Sequence, residues 1–243
     1  MADAIFEEPR LAEIYDLLDQ PERVDLSPYL AMAREFDVQS VVDIGCGTGI
    51  LACRFAAQGL DVVGVDPAAA SLAVARRRAT ADRVRWLVGT AETLPRLQAD
   101  LVTMTGNAAQ VFVADDAWMA TLQACRRVLR PGGRLVFETR DPMKEGWKAW
   151  TRERSYRVFE APVFGAVEAW VEVTDVHLPL VSFLWTFVFQ RDGTVITSDS
   201  TLRFRSRSEV IASLLEADLP IEEVRDAPDR PGLEFVFVAR RPS

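Results

Sequence analysis

The chain has 243 residues, of which 49% are hydrophobic, and this length fits one large α/β domain with room for an insertion. Its formal net charge is −8 at pH 7, from 28 basic and 36 acidic residues. Because a protein that grips a phosphate backbone usually carries the opposite balance, the composition argues against a nucleic-acid partner.

The first part of the chain, residues 1–36, is predicted to be a helical cap. Residues Pro9–Phe36 have helical spacing, and a second helical segment runs from about Ser27 to Phe36. The apolar stripe of the first segment consists of Leu11, Ile14, Leu17 and Leu18. Such a stripe predicts that one face of the segment packs onto the rest of the protein.

Short apolar runs and helical runs alternate from Ser40 to Glu138. Helices are expected over Thr48–Gln58, which Gly59 ends, from Pro67 onward with Asp66 as cap, and from Asp115 to Leu129. The predicted strands are Ser40–Ile44, Asp61–Val65, Val84–Val88, Asp100–Met104 and Arg134–Glu138. This alternation predicts an α/β fold with a doubly wound, Rossmann-like sheet, mostly parallel, whose ligands bind at the carboxyl ends of the strands.

The segment Asp141–Arg205 departs from that pattern. Apolar residues alternate with period two over 167–174 and 183–190, which predicts strands, and Asp192-Gly193 predicts a hairpin into Thr194–Arg205. We therefore expect residues 141–205 to form an inserted antiparallel β-sheet after the fifth strand. A helix and two strands close the chain, and they should add a C-terminal antiparallel hairpin to the main domain of residues 1–140 and 206–243.

The cysteines and the apolar segments bear on the cellular setting. Cys46, Cys53 and Cys125 form no C-x-x-C pair, which disfavours a zinc site and a disulfide framework. Met1–Glu8 is acidic and lacks the apolar stretch of a signal peptide, and Val181–Phe189 is too short to cross a bilayer. We expect a cytoplasmic protein with no membrane partner and no metal.

The strongest motif is the segment Val41–Gly49, in which a predicted strand leads through a glycine-rich turn into a helix. Gly45 and Gly47 let the backbone bend and approach a ligand closely, and the helix N-terminus suits a carboxylate. Asp66, at the end of the second strand, is placed to accept hydrogen bonds from both hydroxyls of a ribose. Its alternative role is only to cap the helix that begins at Pro67.

These motifs resemble those of the class I S-adenosylmethionine-dependent methyltransferases, over roughly Tyr15 to Glu138 and again at Glu234–Val238. The resemblance implies that the glycine-rich turn holds the methionine part of S-adenosylmethionine and that Asp66 holds its ribose. The residues expected at this part of the cofactor site are Asp43, Gly45, Cys46, Gly47, Gly49, Asp66, Pro67 and Thr105.

The resemblance also extends to the adenine and to the N-terminal helix. Gly89–Pro95 is similar to the family's adenine-bracketing segment, so contacts are expected from Thr90 and from the backbone of Ala91 and Glu92. The family often has an aspartate where Thr90 stands, and a hydroxyl lacks its charge. Tyr15 is expected to touch the cofactor from the N-terminal helix, or only to pack there.

Two other classes of protein remain as alternatives. A nicotinamide-dependent oxidoreductase would carry G-x-G-x-x-G, but its third small residue falls at Ile50, which is bulky, whereas the extra Gly49 favours the methyltransferase. The other alternative is a non-catalytic module that binds S-adenosylmethionine as a sensor.

A small-molecule acceptor is expected at the ends of the fourth and fifth strands. Asn107 and Gln110 offer uncharged hydrogen-bonding groups there, or they satisfy loop backbone groups. Arg140 is a candidate for binding a carboxylate or phosphate of the substrate, or it pairs with Asp141 or Glu138. The insertion, 141–205, would then cover the substrate side of the cofactor-binding domain.

The remaining candidates are aromatic residues of the insertion and the single histidine. Trp147 and Trp150 roof the pocket or pack the insertion onto the domain, and the insertion's aromatic residues would equally suit a homodimer interface. His177 is a candidate base or a solvated residue. Since no well-placed base is visible and an amine needs only to lose its proton, the sequence favours a nitrogen acceptor.

Overall fold

The computed structural model describes residues 2–19 and 22–243. Its strands are β1 (Ser40–Ile44), β2 (Asp61–Asp66), β3 (Val84–Val88), β4 (Ala99–Met104), β5 (Leu129–Arg140), β6 (Arg157–Ala161), β7 (Gly165–His177), β8 (Leu180–Phe189), β9 (Thr194–Arg203), β10 (Ile221–Asp226) and β11 (Glu234–Arg240). Its α-helices are α1 (Ala4–Glu7), α2 (Pro9–Ile14), α3 (Ser27–Glu35), α4 (Ile50–Ala57), α5 (Ala69–Ala75), α6 (Asp115–Val128), α7 (Arg152–Ser155) and α8 (Arg207–Glu216).

The larger sheet has seven strands in the order β10-β11-β5-β4-β1-β2-β3. Strands β1 to β5 pair in parallel, whereas β11 runs antiparallel to both β5 and β10. Buried apolar residues of α6 and α8 cover one face, and those of α3 and α4 cover the other. Since both faces are covered, the parallel strands read as nearly continuous apolar runs. The predicted fold class is confirmed.

The smaller sheet is antiparallel, with the strand order β6-β7-β8-β9. Phe187 and Phe189 of β8 are buried against Leu11 and Ile14 of α2. Gly193 has a φ of +70°, which suits the tight turn that joins β8 to β9 at the predicted hairpin. The division of the chain into a main domain and an insertion over 141–205 stays a prediction.

The N-terminal segment, residues 2–19, lies between the two sheets. The backbone N–H of Ile5 donates to Ser198 Oγ on β9 at 2.9 Å, and Ser71 Oγ on α5 donates to the carbonyl of Phe6 at 2.8 Å. Arg10 is 3.0 Å from Asp192, in the turn after β8. These contacts place α1 and α2 across the carboxyl edge of the parallel strands.

Several predicted boundaries are wrong. The N-terminal helix breaks after Ile14 into a 3-10 turn over Tyr15–Leu18, and Leu17 is 40% exposed rather than part of a buried stripe. Helix α5 begins at Ala69 and not at Pro67, because Asp66 Oδ1 accepts from the N–H of Ala68 and holds the chain in a turn.

The beginning of the predicted insertion also differs from the expectation. Short helical turns occupy Pro142–Lys144, Gly146–Ala149 and α7, and β6 precedes the three predicted strands. Within the described ranges 2–19 and 22–243, no helix is long and apolar enough to cross a membrane.

Candidate active site

The turn between β1 and α4 has three glycines with positive φ: +68° at Gly45, +52° at Gly47 and +79° at Gly49. A Cβ on Gly47 would meet no atom within 4 Å, so this glycine borders open space. A Cβ on Gly49 would lie 2.5 Å from Trp86 and 2.8 Å from Ala75. Gly49 therefore has a role in the packing of α4, and its contact with the cofactor stays a prediction, whereas the space beside Gly47 is open.

The packing role of Gly49 gives a stability prediction. Gly49→Ala should lower the free energy of unfolding by about 2–5 kcal/mol, since overpacking costs about 1–3 kcal/mol and left-handed backbone about 1–2 kcal/mol. Gly59→Ala is the matched control, because Gly59 has a φ of +88° and its Cβ would meet nothing within 4 Å. Urea denaturation without ligand measures both variants, and equal losses would contradict the packing role.

Asp66 is held beside the open side of Gly47. Its Oδ2 accepts from the N–H of Gly47 and its Oδ1 from the N–H of Ala68, each at 2.8 Å. Burial raises the pKa of Asp66, which is only 7% exposed. Each carboxylate oxygen keeps a further acceptor position, so the capping role and a ribose contact are compatible. Pro67 itself is exposed.

Three further predicted residues lie near this turn: Asp43 in β1, Cys46 in the turn itself and Thr105 after β4. Asp43 is buried and accepts from Thr103 Oγ1 at 2.7 Å. Burial also raises the pKa of the Cys46 thiol, so the thiol stays protonated. Thr105, after β4, is half-buried, and its carbonyl accepts from the N–H of Ala108 at 3.4 Å.

The predicted adenine segment forms a 3-10 turn over Ala91–Thr93. Thr93 Oγ1 accepts from the N–H of Thr90 at 3.0 Å and donates to the Thr90 carbonyl at 2.9 Å. Ala91 is buried, whereas Thr90 and Glu92 are exposed, and Glu92 Oε1 accepts from Thr121 Oγ1 at 3.1 Å. The side chain of Glu92 thus anchors the turn to α6.

The N-terminal segment is clasped to the glycine turn by a residue that the sequence analysis missed. Asp16 Oδ1 accepts from Thr48 Oγ1 at 2.6 Å, and the guanidinium of Arg78 donates both to Asp16 and to the Thr48 carbonyl. This clasp brings the neighbouring Tyr15 to a cavity at the strand ends. Burial raises the pKa of Tyr15 to about 12, so its phenol stays protonated.

A cavity of about 230 Å³ opens between the N-terminal segment, the ends of β4 and β5, and the smaller sheet. Among the predicted residues, Tyr15, Asn107 and Arg140 line it. Phe183 and Trp185, aromatic residues of the predicted insertion, also line it, and lining residues without a sequence signal include Asp3, Asp19, Arg157 and Leu202.

Asn107 is fixed at both ends by carboxylates. It has a left-handed φ of +60°, its N–H donates to Glu138 Oε1 at 2.7 Å, and its Nδ2 donates to Glu234 Oε1 at 3.2 Å. Because Nδ2 must face a carboxylate, the opposite amide atom is assigned as Oδ1. That Oδ1 is buried and has no hydrogen-bond partner among residues 2–19 and 22–243. Asn107 thus keeps an unused acceptor at its Oδ1, on a residue that lines the cavity.

Arg140 does not pair with Asp141 or Glu138, as one interpretation of the sequence had it. Its Nη1 donates to Gln110 Oε1 at 2.9 Å, and its Nε lies 3.8 Å from Glu234 Oε1. Gln110 is 1% exposed and so positions Arg140 rather than facing the cavity.

The other two candidates lie away from the cavity lining. Trp147 is 3% exposed and packs edge-on against Phe204, with ring centroids 4.6 Å apart, which is the packing interpretation. The side chain of His177 is 82% exposed and pairs with Asp175 at 2.8 Å. A solvated histidine on this strand end fits the surface interpretation and not that of a base. Within the described part of the chain, no group of three or more His, Cys, Asp or Glu could hold a metal.

The buried carboxyl groups predict a pH dependence of stability. Burial raises the pKa of Asp43 and of Glu138 to about 7, above their ordinary 3.8 and 4.5. Between about pH 4.5 and 7 the folded state keeps protons that the unfolded state has lost, so the free energy of unfolding should fall as the pH rises through this window. Urea denaturation of the ligand-free protein at several pH values measures it. In Glu138→Gln the slope should be smaller, and an unchanged slope would contradict the assignment to Glu138.

The order of the sheet and the glycine turn define the class of protein. The dinucleotide-binding order has a sixth parallel strand beyond β5, whereas here the antiparallel β11 takes that place. Residues 41–133 match the family model described as the methyltransferase domain. Residues 41–133 are therefore similar to a methyltransferase domain, and the resemblance to the S-adenosylmethionine-dependent methyltransferases is confirmed.

Among relatives, the ubiquinone/menaquinone biosynthesis C-methyltransferase UbiE of Rubrivivax gelatinosus is 36% identical over 177 residues, which is 70% of this chain. The chain spans 65% of the length of that protein. The CcbJ methyltransferase of Streptomyces caelestis has a TM-score of 0.78 at 19% identity, covering 96% of each chain. The sugar N-methyltransferase KedS8 of Streptoalloteichus sp. has a TM-score of 0.75 at 18% identity, covering 91% of this chain and 88% of that one. The two structures share the fold.

Proposed function

We propose that this protein binds S-adenosylmethionine beside Gly47 and transfers its methyl group to a nitrogen atom of a small molecule held in the cavity. The observation that carries the proposal is the open space at Gly47, which only a residue without Cβ leaves free, next to the buried carboxylate of Asp66. These residues fit the cofactor: the turn takes the methionine part, and Asp66 takes the ribose hydroxyls. The antiparallel direction of β11 and the bulky Ile50 both disfavour a dinucleotide cofactor.

When bound, S-adenosylmethionine supplies an activated methyl group on a cationic sulfur that leaves as a neutral thioether. The chain's task is then mainly to orient the acceptor, and orientation alone can lower a barrier by roughly 7–11 kcal/mol. Asn107 Oδ1 is the group that would accept an N–H from the acceptor and so direct its lone pair. Tyr15, with its pKa raised to about 12, is no base near neutral pH.

The choice of nitrogen rests on the polar groups of the cavity. A hydroxyl or carbon acceptor usually needs a base, whereas an amine needs only to lose its proton. Of the lining carboxylates, Asp3 accepts from Ser200 Oγ at 2.6 Å and Asp19 lies 3.3 Å from Arg23. Two proteins with a related fold are themselves described as N-methyltransferases, and a nitrogen acceptor in this protein would be consistent with them.

The smaller sheet supplies the cover of the acceptor in this proposal. Phe183 and Trp185 of β8 and Leu202 of β9 form one wall of the cavity, and the strand-end residues Asn107 and Arg140 form another. Apolar walls with a few polar groups are typical of small-molecule sites. The competing account is that this sheet forms a homodimer interface. Sedimentation of a variant whose outward apolar residues on this sheet are made polar would show whether the oligomeric state depends on them.

Two measurements test the proposed function. S-adenosylmethionine should raise the melting temperature, with a stabilisation that grows as the logarithm of one plus its concentration over its dissociation constant, and NAD should not. Labelled methyl should then pass to members of an amine panel more readily than to matched phenols. Stabilisation by NAD alone would contradict the cofactor assignment, and binding without transfer to any amine, phenol or carbon acid would favour the sensor alternative.

A further inference from the structure

Arg157, at the start of β6, is a cationic side chain in the cavity wall without an acidic partner. Its Nη1 donates to the carbonyl of Leu18 at 2.6 Å, and no carboxylate of residues 2–19 or 22–243 lies within 4 Å of its guanidinium. Its Nε is buried and has no hydrogen-bond partner among the same residues. The guanidinium therefore forms no ion pair, and its Nη2 makes no hydrogen bond to the same residues.

The other charged groups of the cavity are already occupied. Arg140 is bound by Gln110 and lies 3.8 Å from Glu234, so its charge is partly balanced. Asp19 lies 3.3 Å from Arg23, and Asp3 accepts from the hydroxyl of Ser200. Within the described chain, Arg157 is thus a cation of this wall that forms no ion pair, and the charge of Asp19, which pairs with Arg23, acts on it from beyond 4 Å.

The surroundings of Arg157 suit a ligand that is both acidic and flat. Its guanidinium carbon lies 5.5 Å from the ring centroid of Trp185, which also lines the cavity. Burial lowers the pKa of Arg157, so keeping this cation beside the cavity has a cost that an anion would offset. A guanidinium makes paired hydrogen bonds to carboxylate and to phosphate oxygens.

We propose that Arg157 binds the acidic group of the acceptor, a carboxylate or a phosphate, so that the substrate class is a small amine that also carries an anionic group. The inference rests on the proposed function, because it assigns the acceptor of that reaction. Asn107 would then hold the reacting nitrogen at the strand ends, while Arg157 holds the acidic group at the smaller sheet.

The test uses benzoate and phenyl phosphate as acidic probes and benzamide as the neutral probe of the same shape. Calorimetric titration of the full chain, with and without S-adenosylhomocysteine, should give binding of at least one acidic probe and none of benzamide. Arg157→Leu should weaken that binding at least tenfold. Arg154→Leu is the control, because Arg154 is an exposed arginine three residues earlier on α7, and it should bind the probe as the parent does.

Affinity for S-adenosylhomocysteine is measured in every variant and should stay within threefold, which shows that the N-terminal segment remains in place. If Arg157→Leu does not fold, Arg157→Gln keeps a donor toward Leu18 and takes its place with the same expectation. Binding of benzoate alone or of phenyl phosphate alone identifies the acidic group. The proposal is overturned if neither acid binds, if benzamide binds equally well, or if the Arg157 variant binds the acid unchanged. Failure to bind S-adenosylhomocysteine would instead refute the proposed function.

Discussion

Gly47→Leu should abolish binding of S-adenosylmethionine in a protein that still folds. The Cβ of residue 47 would point into space where no protein atom lies within 4 Å, and that space is where the methionine part of the cofactor is expected. Calorimetry should show a loss of at least a hundredfold in affinity, since a side chain and the ligand would compete for one volume. Leucine is chosen because it is not branched at Cβ. A φ of +52° disfavours β-branched side chains most strongly.

Gly59→Leu is the matched control for that experiment. Gly59 also has a positive φ, its Cβ would also meet nothing within 4 Å, and it lies beyond the far end of α4. Both variants therefore carry the same backbone cost of about 1–2 kcal/mol, and only one of them fills the proposed site. If the two variants bind the cofactor equally well, the cofactor lies elsewhere.

Asp66→Ala should weaken binding of the cofactor by about 1.5–3 kcal/mol, the range for hydrogen bonds to a charged group, which corresponds to roughly 10- to 150-fold in the dissociation constant. The same change removes the acceptors of the Gly47 and Ala68 N–H groups, so a lower melting temperature is expected as well. Calorimetry at a temperature well below the transition separates the two effects.

The control for Asp66→Ala is Asp61→Ala. Asp61 begins the same strand, is exposed, and lies at the opposite edge of the sheet from Asp66. Removing its side chain should leave the affinity for S-adenosylmethionine unchanged. An unaltered affinity in folded Asp66→Ala would remove Asp66 from the ribose site and leave it as the cap of the turn before α5.

The parallel strands and the glycine turn were predictable because local sequence determines them. Ser40–Ile44 and Val84–Val88 are predicted to the residue, since each is a short, mostly apolar run between segments of helical or turn pattern. The break after Ile14 was not predictable, because it depends on Asp16 reaching Thr48 and Arg78, far away in sequence.

The cavity shows the same division between local and distant causes. Asn107 follows the end of β4 and Arg140 is the last residue of β5, where a ligand site is expected, and both line the cavity. Arg157 gave no signal in the sequence, because β6 was not predicted, and its importance comes from the lack of an acidic partner in the folded chain. The packing role of Gly49 was not predictable either, because it depends on the position of Trp86 in the folded chain.

The short helices at the N-terminus bear on how well ordered the cavity is. Helices α1 and α2 have four and six residues, whereas an isolated helix needs about 12–15 residues to be even marginally stable in water. These helices are therefore stabilised by their hydrogen bonds to Ser198 and Ser71 and by the contacts of Asp16. Local unfolding of this segment would open one wall of the cavity while leaving the seven-stranded sheet intact. The two proposed sites thus differ in their resistance to local unfolding. The glycine turn is anchored to the seven-stranded sheet, whereas the acceptor cavity depends on the few contacts that hold the N-terminal helices.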